Sequence, residues 1–182
     1  TTGAVNAATV NTLTGLAADA NTALTSSGIS NLGNEAVTLS DTSLAATVLN
    51  TLDGNTTGAV NAATVLTLTG TAAAANTAYA SGGITGLGNE AVTLSDTSLA
   101  ATVLNTLDGN TTGAVNAATI TTFTSSTAAS LNTAYASSGI TGLGNEAVTI
   151  SDTSVAASAL NTLDGTTTGA VNAATVNTLT GL

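Results

Sequence analysis

The strongest constraint on this chain is a phrase that it repeats at an almost constant step. NEAVTLSDTSLAATVLNTLDGNTTGAV stands at 89–115, the same words stand at 34–60, and an edited version stands at 145–171. Val37, Val92 and Val148 open VTLSD or VTISD, 55 and then 56 residues apart. Val5, Val60, Val115 and Val171 open VNAAT at steps of 55, 55 and 56. Such a period marks a supersecondary unit that cannot bury its apolar face alone and stacks on its own copies. The sequence predicts a single uncapped solenoid segment over 1–182, with full repeats at about 5–59, 60–114 and 115–170. Residues 1–16 are identical to residues 167–182, and neither end carries an atypical capping repeat, so the chain reads as a window on a longer periodic one.

Each repeat divides again. An apolar-centred triplet recurs at Thr12-Leu13-Thr14, Thr38-Leu39-Ser40, Thr67-Leu68-Thr69, Thr93-Leu94-Ser95, Thr122-Phe123-Thr124, Thr149-Ile150-Ser151 and Thr178-Leu179-Thr180. The centres lie 26, 29, 26, 29, 27 and 29 residues apart, which predicts one strand per coil of roughly 28 residues and two alternating coil types. In the first type, Asp41-Thr42-Ser43 offers capping oxygens. Leu44, Ala45, Val48, Leu49 and Leu52 then share one helical face, and Gly54 is placed for a left-handed C′ residue. The same pattern runs Leu99–Leu107 before Gly109 and Val155–Leu163 before Gly165. In the second type the Ala-rich stretches 15–24, 71–79 and 127–135 have high helix propensity. Tyr79 and Tyr135 stand there where Leu24 stands in the first, and read as packing residues. Strand, helix and turn-rich return, repeated, predict an α/β solenoid with a parallel sheet and helices on one face; the alternative is an all-β solenoid.

Composition narrows the partners. Thr and Ala together exceed two fifths of the 182 residues, and there is no Lys, Arg, His, Cys, Met, Trp or Pro. Ten acids leave a net charge of −10. Phosphate recognition needs Lys or Arg, so direct nucleic-acid binding is excluded, as is attraction to anionic membranes. No apolar run approaches the roughly 20 residues of a spanning helix, so membrane insertion is not expected. Without Lys or Arg there is no cleavage site for trypsin-like proteases, which suits a chain outside the cell.

With no His, Lys or Cys, reaction chemistry falls to carboxylates and hydroxyls. Glu35 with Asp41, Glu90 with Asp96 and Glu146 with Asp152 are paired acids of the kind that cleave glycosides. They recur identically in every repeat, whereas an enzyme normally has one distinct site. The favoured reading is therefore a solvated acid at a turn and an N-terminal helix cap, in a chain that is not an enzyme. Asp53, Asp108 and Asp164 recur at a helix end beside Gly, and calcium is the ion their hard oxygens would suit. Calcium takes roughly six to eight oxygens, more than one Asp and one Asn per turn supply without backbone carbonyls. The Thr-x-Thr and Thr-x-Ser triplets place Thr12, Thr14, Thr38, Ser40, Thr67, Thr69, Thr93, Ser95, Thr122, Thr124, Thr149, Ser151, Thr178 and Thr180 on one outward face by strand alternation. That hydroxyl ladder is the candidate binding face for ice, polysaccharide or another surface; the plainer reading is high β-propensity. Asn55-Thr56-Thr57 and Asn110-Thr111-Thr112 match the N-glycosylation pattern within Thr-rich text.

ITGLGNEAVTLSDTSLAATVLNTLDG and TTGAVNAATV resemble the Thr/Ala-rich arrays of giant cell-surface proteins of marine cyanobacteria, over the whole chain. The resemblance implies an extracellular or cell-surface location and a structural role, and it transfers no catalytic residue. The coil length is also similar to that of leucine-rich repeats, yet the Asn that ladders those coils is missing after each strand, where Asp41 or Gly70 stands. Open coil faces must be covered, by more of the same chain or by another copy. The sequence thus points to a structural protein of a filament, stalk or surface layer, with itself as partner, and to surface adhesion as the alternative.

Overall fold

The computed structural model describes residues 3–181. It is an α/β repeat solenoid, built from short parallel strands and six helices among the described residues. The helices exclude the all-β alternative. The chain forms two compact units, the first reaching Ala91 and the second beginning at Val92.

The first unit holds β1 (Val5–Asn6), β2 (Thr12–Gly15), α1 (Ala17–Leu24), β3 (Ile29–Ser30), β4 (Ala36–Leu39), β5 (Ser43–Ala45), α2 (Ala46–Asn55), β6 (Val60–Asn61), β7 (Thr67–Gly70), α3 (Ala72–Ala80) and β8 (Ile84–Thr85). β2, β4, β6 and β8 follow one another in one parallel sheet. β1 pairs with β3, and β5 with β7. The second unit holds β9 (Ala91–Leu94, beginning on the last residue of the first), β10 (Ser98–Ala100), α4 (Ala101–Asn110), β11 (Val115–Asn116), β12 (Thr122–Ser126), α5 (Ala128–Ala136), β13 (Ile140–Thr141), β14 (Ala147–Ile150), β15 (Ser154–Ala156), α6 (Ala157–Asp164), β16 (Val171–Asn172) and β17 (Thr178–Thr180). There β10, β12, β14 and β16 form the longest sheet, β9–β11–β13 a second, and β15–β17 a third.

Leu44 pairs with Leu68, Val37 with Val60 and Val115 with Ile140, so a strand finds its partner 23 to 25 residues further on. The expected spacing of roughly 28 residues is corrected by this register. A 55-residue repeat holds two helices but five strands, three of which the triplet pattern does not display. The Ser-Leu-Ala segment is one of them. Leu44 and Leu99 were expected to open helices, yet they lie in β5 and β10, paired with Leu68 and Phe123. Strand pairing there satisfies backbone groups that the first turn of a helix would leave open. Helices α2 and α4 begin at Ala46 and Ala101 instead.

The helix ends also differ from expectation. Gly54 and Gly109 lie inside α2 and α4, and Gly165 has φ −76, so no glycine forms a left-handed cap there. The chain leaves α2 through Thr56, in extended conformation, because Thr56 is tied to the neighbouring coil. At Gly86 and Gly142 glycine is required twice over. Their φ values are +85 and +86, and a Cβ would come within 2.7 and 2.8 Å of Ala63 and Ala118 in the neighbouring coil.

The core of each unit lies between strands and helices. Val37, Leu49, Leu52, Val60, Leu68 and Ala75 are buried in the first unit, and Leu104, Leu107, Val115, Phe123, Leu131 and Ile150 in the second. The Ala faces of α1 and α3 pack against α2, the close approach that small side chains permit.

Candidate functional site

Four polar constellations recur, and each joins one coil to the next. The first is a buried glutamate. Glu35, Glu90 and Glu146 are fully buried, not solvated as their turn position suggests. Oε2 of Glu35 accepts from the Gly33 and Asn34 amides at 2.7 and 3.1 Å. Oε2 of Glu146 accepts from Gly144 and Asn145 at 2.8 and 3.1 Å, and from the Tyr135 hydroxyl at 2.9 Å. Tyr79 donates to Glu90 in the same way, at 3.0 Å. The tyrosines are therefore hydrogen-bond partners as well as packing residues. Burial pushes the Tyr135 phenol up; the Thr167 hydroxyl pulls it down, and Glu146 adds to the rise. Tyr135 also meets Phe123 edge to face, with ring centroids 5.8 Å apart. Behind the glutamate the next coil closes in. Thr56 and Thr167 donate to the carbonyls of Glu35 and Glu146, each at 2.7 Å. A Cβ at Gly58 or Gly169 would overlap those same carbonyls.

The second constellation is the aspartate of the SDT phrase. Asp41 and Asp152 do cap helices, but not their own. Oδ2 of Asp41 accepts from Ala17 at the start of α1 (2.8 Å), and Oδ2 of Asp152 from Ala128 at the start of α5 (2.7 Å). Helices α2, α4 and α6 have no side-chain N-cap. A sequence offset of 24 residues hides this partnership from a local reading. The paired acids of the glycosidase reading thus have separate duties, one buried in a turn and one capping a neighbouring helix.

The third is the aspartate proposed for metal. Asp53 and Asp108 accept from Ser81 and Ser137 of the following coil, both at 2.7 Å. Each serine also receives a glycine amide at 3.0 Å, from Gly83 and Gly139. A Cβ on either glycine would run into the aspartate. Asp164 is exposed and has no such serine among the described residues. Among those residues no three acids gather as a cation would need.

The fourth was missed from sequence. Asn50 of α2 donates through Nδ2 to the Ala74 carbonyl of α3 (2.9 Å), and Asn21 of α1 to Val48 of α2 (3.2 Å). In the second unit Asn105 reaches Ser130 (2.9 Å) and Asn132 reaches Ala159 (3.0 Å). An asparagine ladder therefore exists, but it runs through helices and not after strands. Its signal is the dipeptide Asn-Thr in every helix, at 21, 50, 76, 105, 132 and 161. The following threonine closes back on its own helix, as Thr51 does on Thr47 (2.8 Å) and Thr133 on Ala129 (3.0 Å).

The hydroxyl ladder is divided among sheets. Thr14 lies opposite Thr38, Thr38 opposite Asn61 and Asn61 opposite Thr85, and all four are exposed. Thr12 faces Ala36, while Thr67 and Thr69 face Ser43 and Ala45. In the second unit Thr93 and Thr141 flank Asn116, Thr122 lies between Ser98 and Ala147, and Thr124 faces Ala100. Thr149 faces Asn172, and Thr178 and Thr180 face Ser154 and Ala156. Ser40, Ser95 and Ser151 fall just beyond their strands. The ladder breaks because Thr-Leu-Thr pairs with Ser-Leu-Ala and Ala-Val-Thr-Leu, not with Thr-Leu-Ser at the same frame.

No helix among the described residues is long and apolar enough to cross a membrane. Strand-helix coils joined by repeated buried Glu, Asp and Asn contacts define the chain as an α/β repeat solenoid. Comparison with family models, curated proteins and solved structures finds no match to any of them.

Proposed function

We propose that the chain is a structural repeat protein of the cell exterior, a spacer within a filament, stalk or surface layer. One observation carries the reading: the recurrent polar groups are consumed between coils. Asp41, Asp53, Asp108 and Asp152, together with Asn21, Asn50, Asn105 and Asn132, each bond a neighbouring coil. This leaves the repeated chemistry serving cohesion, and the reading assigns the chain no reaction. The cell-surface location rests on the resemblance of the repeats and on the missing Lys and Arg. Cryo-electron microscopy of the native material tests it. Extended assemblies with a rung spacing of about 4.8 Å are expected; discrete particles would overturn the reading.

A second reading, a surface-binding module, is favoured by the exposed row Thr14, Thr38, Asn61 and Thr85 on one parallel sheet. Replacing Thr38 and Thr85 by Glu would abolish adsorption to ice or polysaccharide if that row binds. Unchanged adsorption would remove it.

A further inference from the structure

We propose that two copies of this chain join head to tail, with α6 of one copy seated on α1 of the next, reproducing the contact that α2 makes with α3 and α4 with α5. The inference rests on the structural reading and names its partner as a second copy. Two open grooves carry it. One is lined by Leu160, Asn161 and Asp164 of α6, with Val171 and Ala173. The other is lined by Leu13 of β2 and by Asp19, Ala20 and Ala23 of α1.

These grooves are the two halves of an interface that the molecule already builds twice. α6 repeats the Leu-Asn-Thr-Leu-Asp of α2 and α4. Leu160 is partly exposed, whereas its equivalents Leu49 and Leu104 are fully buried, covered by α3 and α5. Asn50 and Asn105 reach the third-residue carbonyls of α3 and α5, Ala74 and Ser130. Asn161 is exposed, without a side-chain partner among the described residues, and the matching carbonyl in α1 is that of Asp19. Asp53 and Asp108 take Ser81 and Ser137; Asp164 lacks its serine, and the matching residue after α1 is Ser26. The Ser26 turn is already formed, since its hydroxyl accepts the Gly28 amide at 3.2 Å as Ser81 accepts Gly83 at 3.0 Å. Each unmet group on α6 thus has a named partner around α1.

The strands beside this junction explain the duplicated phrase. In the internal contacts, the segment between the two helices is Thr-Thr-Gly-Ala-Val-Asn and its continuation. At the junction two identical segments, 1–16 of one copy and 167–182 of the other, compete for that single slot. Either makes the same contacts, so exchanging one for the other is close to neutral in energy, and the unused one is displaced. Val5 and Leu179 within these segments are 48% and 46% exposed, while their equivalents Val60 and Leu68 are fully buried. Each copy carries a charge of −10, so added salt, which screens repulsion, strengthens the association.

The chain has no cysteine, so single variants Asp164→Cys and Ser26→Cys report the contact. Mixed under mild oxidation they should give several-fold more disulfide-linked dimer than either alone, because position 164 meets position 26 and not its like. Asp53→Cys with Ser81→Cys in one chain calibrates the geometry. In parallel, sedimentation of the native chain should show association that rises with concentration and salt, and Asn161→Ala should weaken it about tenfold. A mixture no better cross-linked than the single variants, or a chain that stays monomeric, overturns the proposal. Native filaments that lack this cross-link would overturn the junction and leave the structural reading standing.

Discussion

Val60 and Val5 sit in the same phrase, Thr-Thr-Gly-Ala-Val-Asn-Ala-Ala-Thr-Val, yet one is fully buried and the other is 48% exposed. Their backbones are held alike, Val60 donating to Gly83 at 2.9 Å and Val5 to Gly28 at 2.8 Å. The difference is the company on the other side. Val60 has β4 on one flank and β8 on the other, whereas Val5 has only β3 among the described residues. α4 and α6 teach the same lesson, since Leu104 is fully buried and Leu160 is not. In a repeat chain the local sequence determines which residues can be core, and the adjoining coil determines which of them are. Stability should therefore follow coil position and not sequence identity.

That statement can be broken at matched positions. Leu104→Ala should cost about 3 kcal/mol of unfolding free energy, while Leu160→Ala should cost under about 1 kcal/mol, measured by denaturant unfolding of dilute protein. Equal losses would mean that the outer coil is packed like the inner one. Val60→Ala should cost about 2 kcal/mol, against a few tenths of a kcal/mol for Val5→Ala. The asparagine ladder sharpens the comparison at smaller scale. Asn105→Ala removes a donor from the Ser130 carbonyl and should cost about 1 kcal/mol, whereas Asn161→Ala should leave dilute-protein stability unchanged.

The smallest effect expected is a pH dependence. The Tyr135 phenol is raised by burial above its ordinary value of 10.0. The unfolded chain then loses this proton first, so the stabilisation is complete below pH 10 and declines as pH rises above it. Denaturant midpoints compared at pH 8 and pH 11 should fall less in Tyr135→Phe than in the native chain. An equal fall in both would show that Tyr135 is not the group responsible. Leu24, the equivalent position near Glu35, has no proton to lose, so the effect belongs to the coils that carry tyrosine.

Much of the architecture is legible in the sequence, for a physical reason. The period appears directly, the Ala-rich helices follow from propensity, and Thr71 and Thr127 do cap α3 and α5, accepting from Ala74 and Ser130. What stays hidden is what depends on a residue some 24 positions away. Leu44 fits a helical face locally, and only its pairing with Leu68 makes it a strand residue. Asp41 looks like a cap for the helix that follows it, and only stacking reveals that it caps α1. Glu35 sits in a turn that reads as solvated until Thr56 and Gly58 of the next coil close over it. The hydroxyl ladder failed as one array for the same reason, because its register was inferred from spacing between like triplets while unlike strands pair. Asn50 and Asn105 were visible as a periodic Asn-Thr, but an amide in mid-helix gains meaning only from the helix beside it.

Native-state hydrogen exchange of the dilute chain tests the central claim most directly. Segments 3–10 and 58–65 have the same sequence, so their unprotected exchange rates match. If coil coverage sets stability, the Val60 amide should exchange at least a hundredfold more slowly than that of Val5, about 2.7 kcal/mol of added protection. Equal protection of the two would show that each phrase holds its structure without the coil beside it, and would contradict the account.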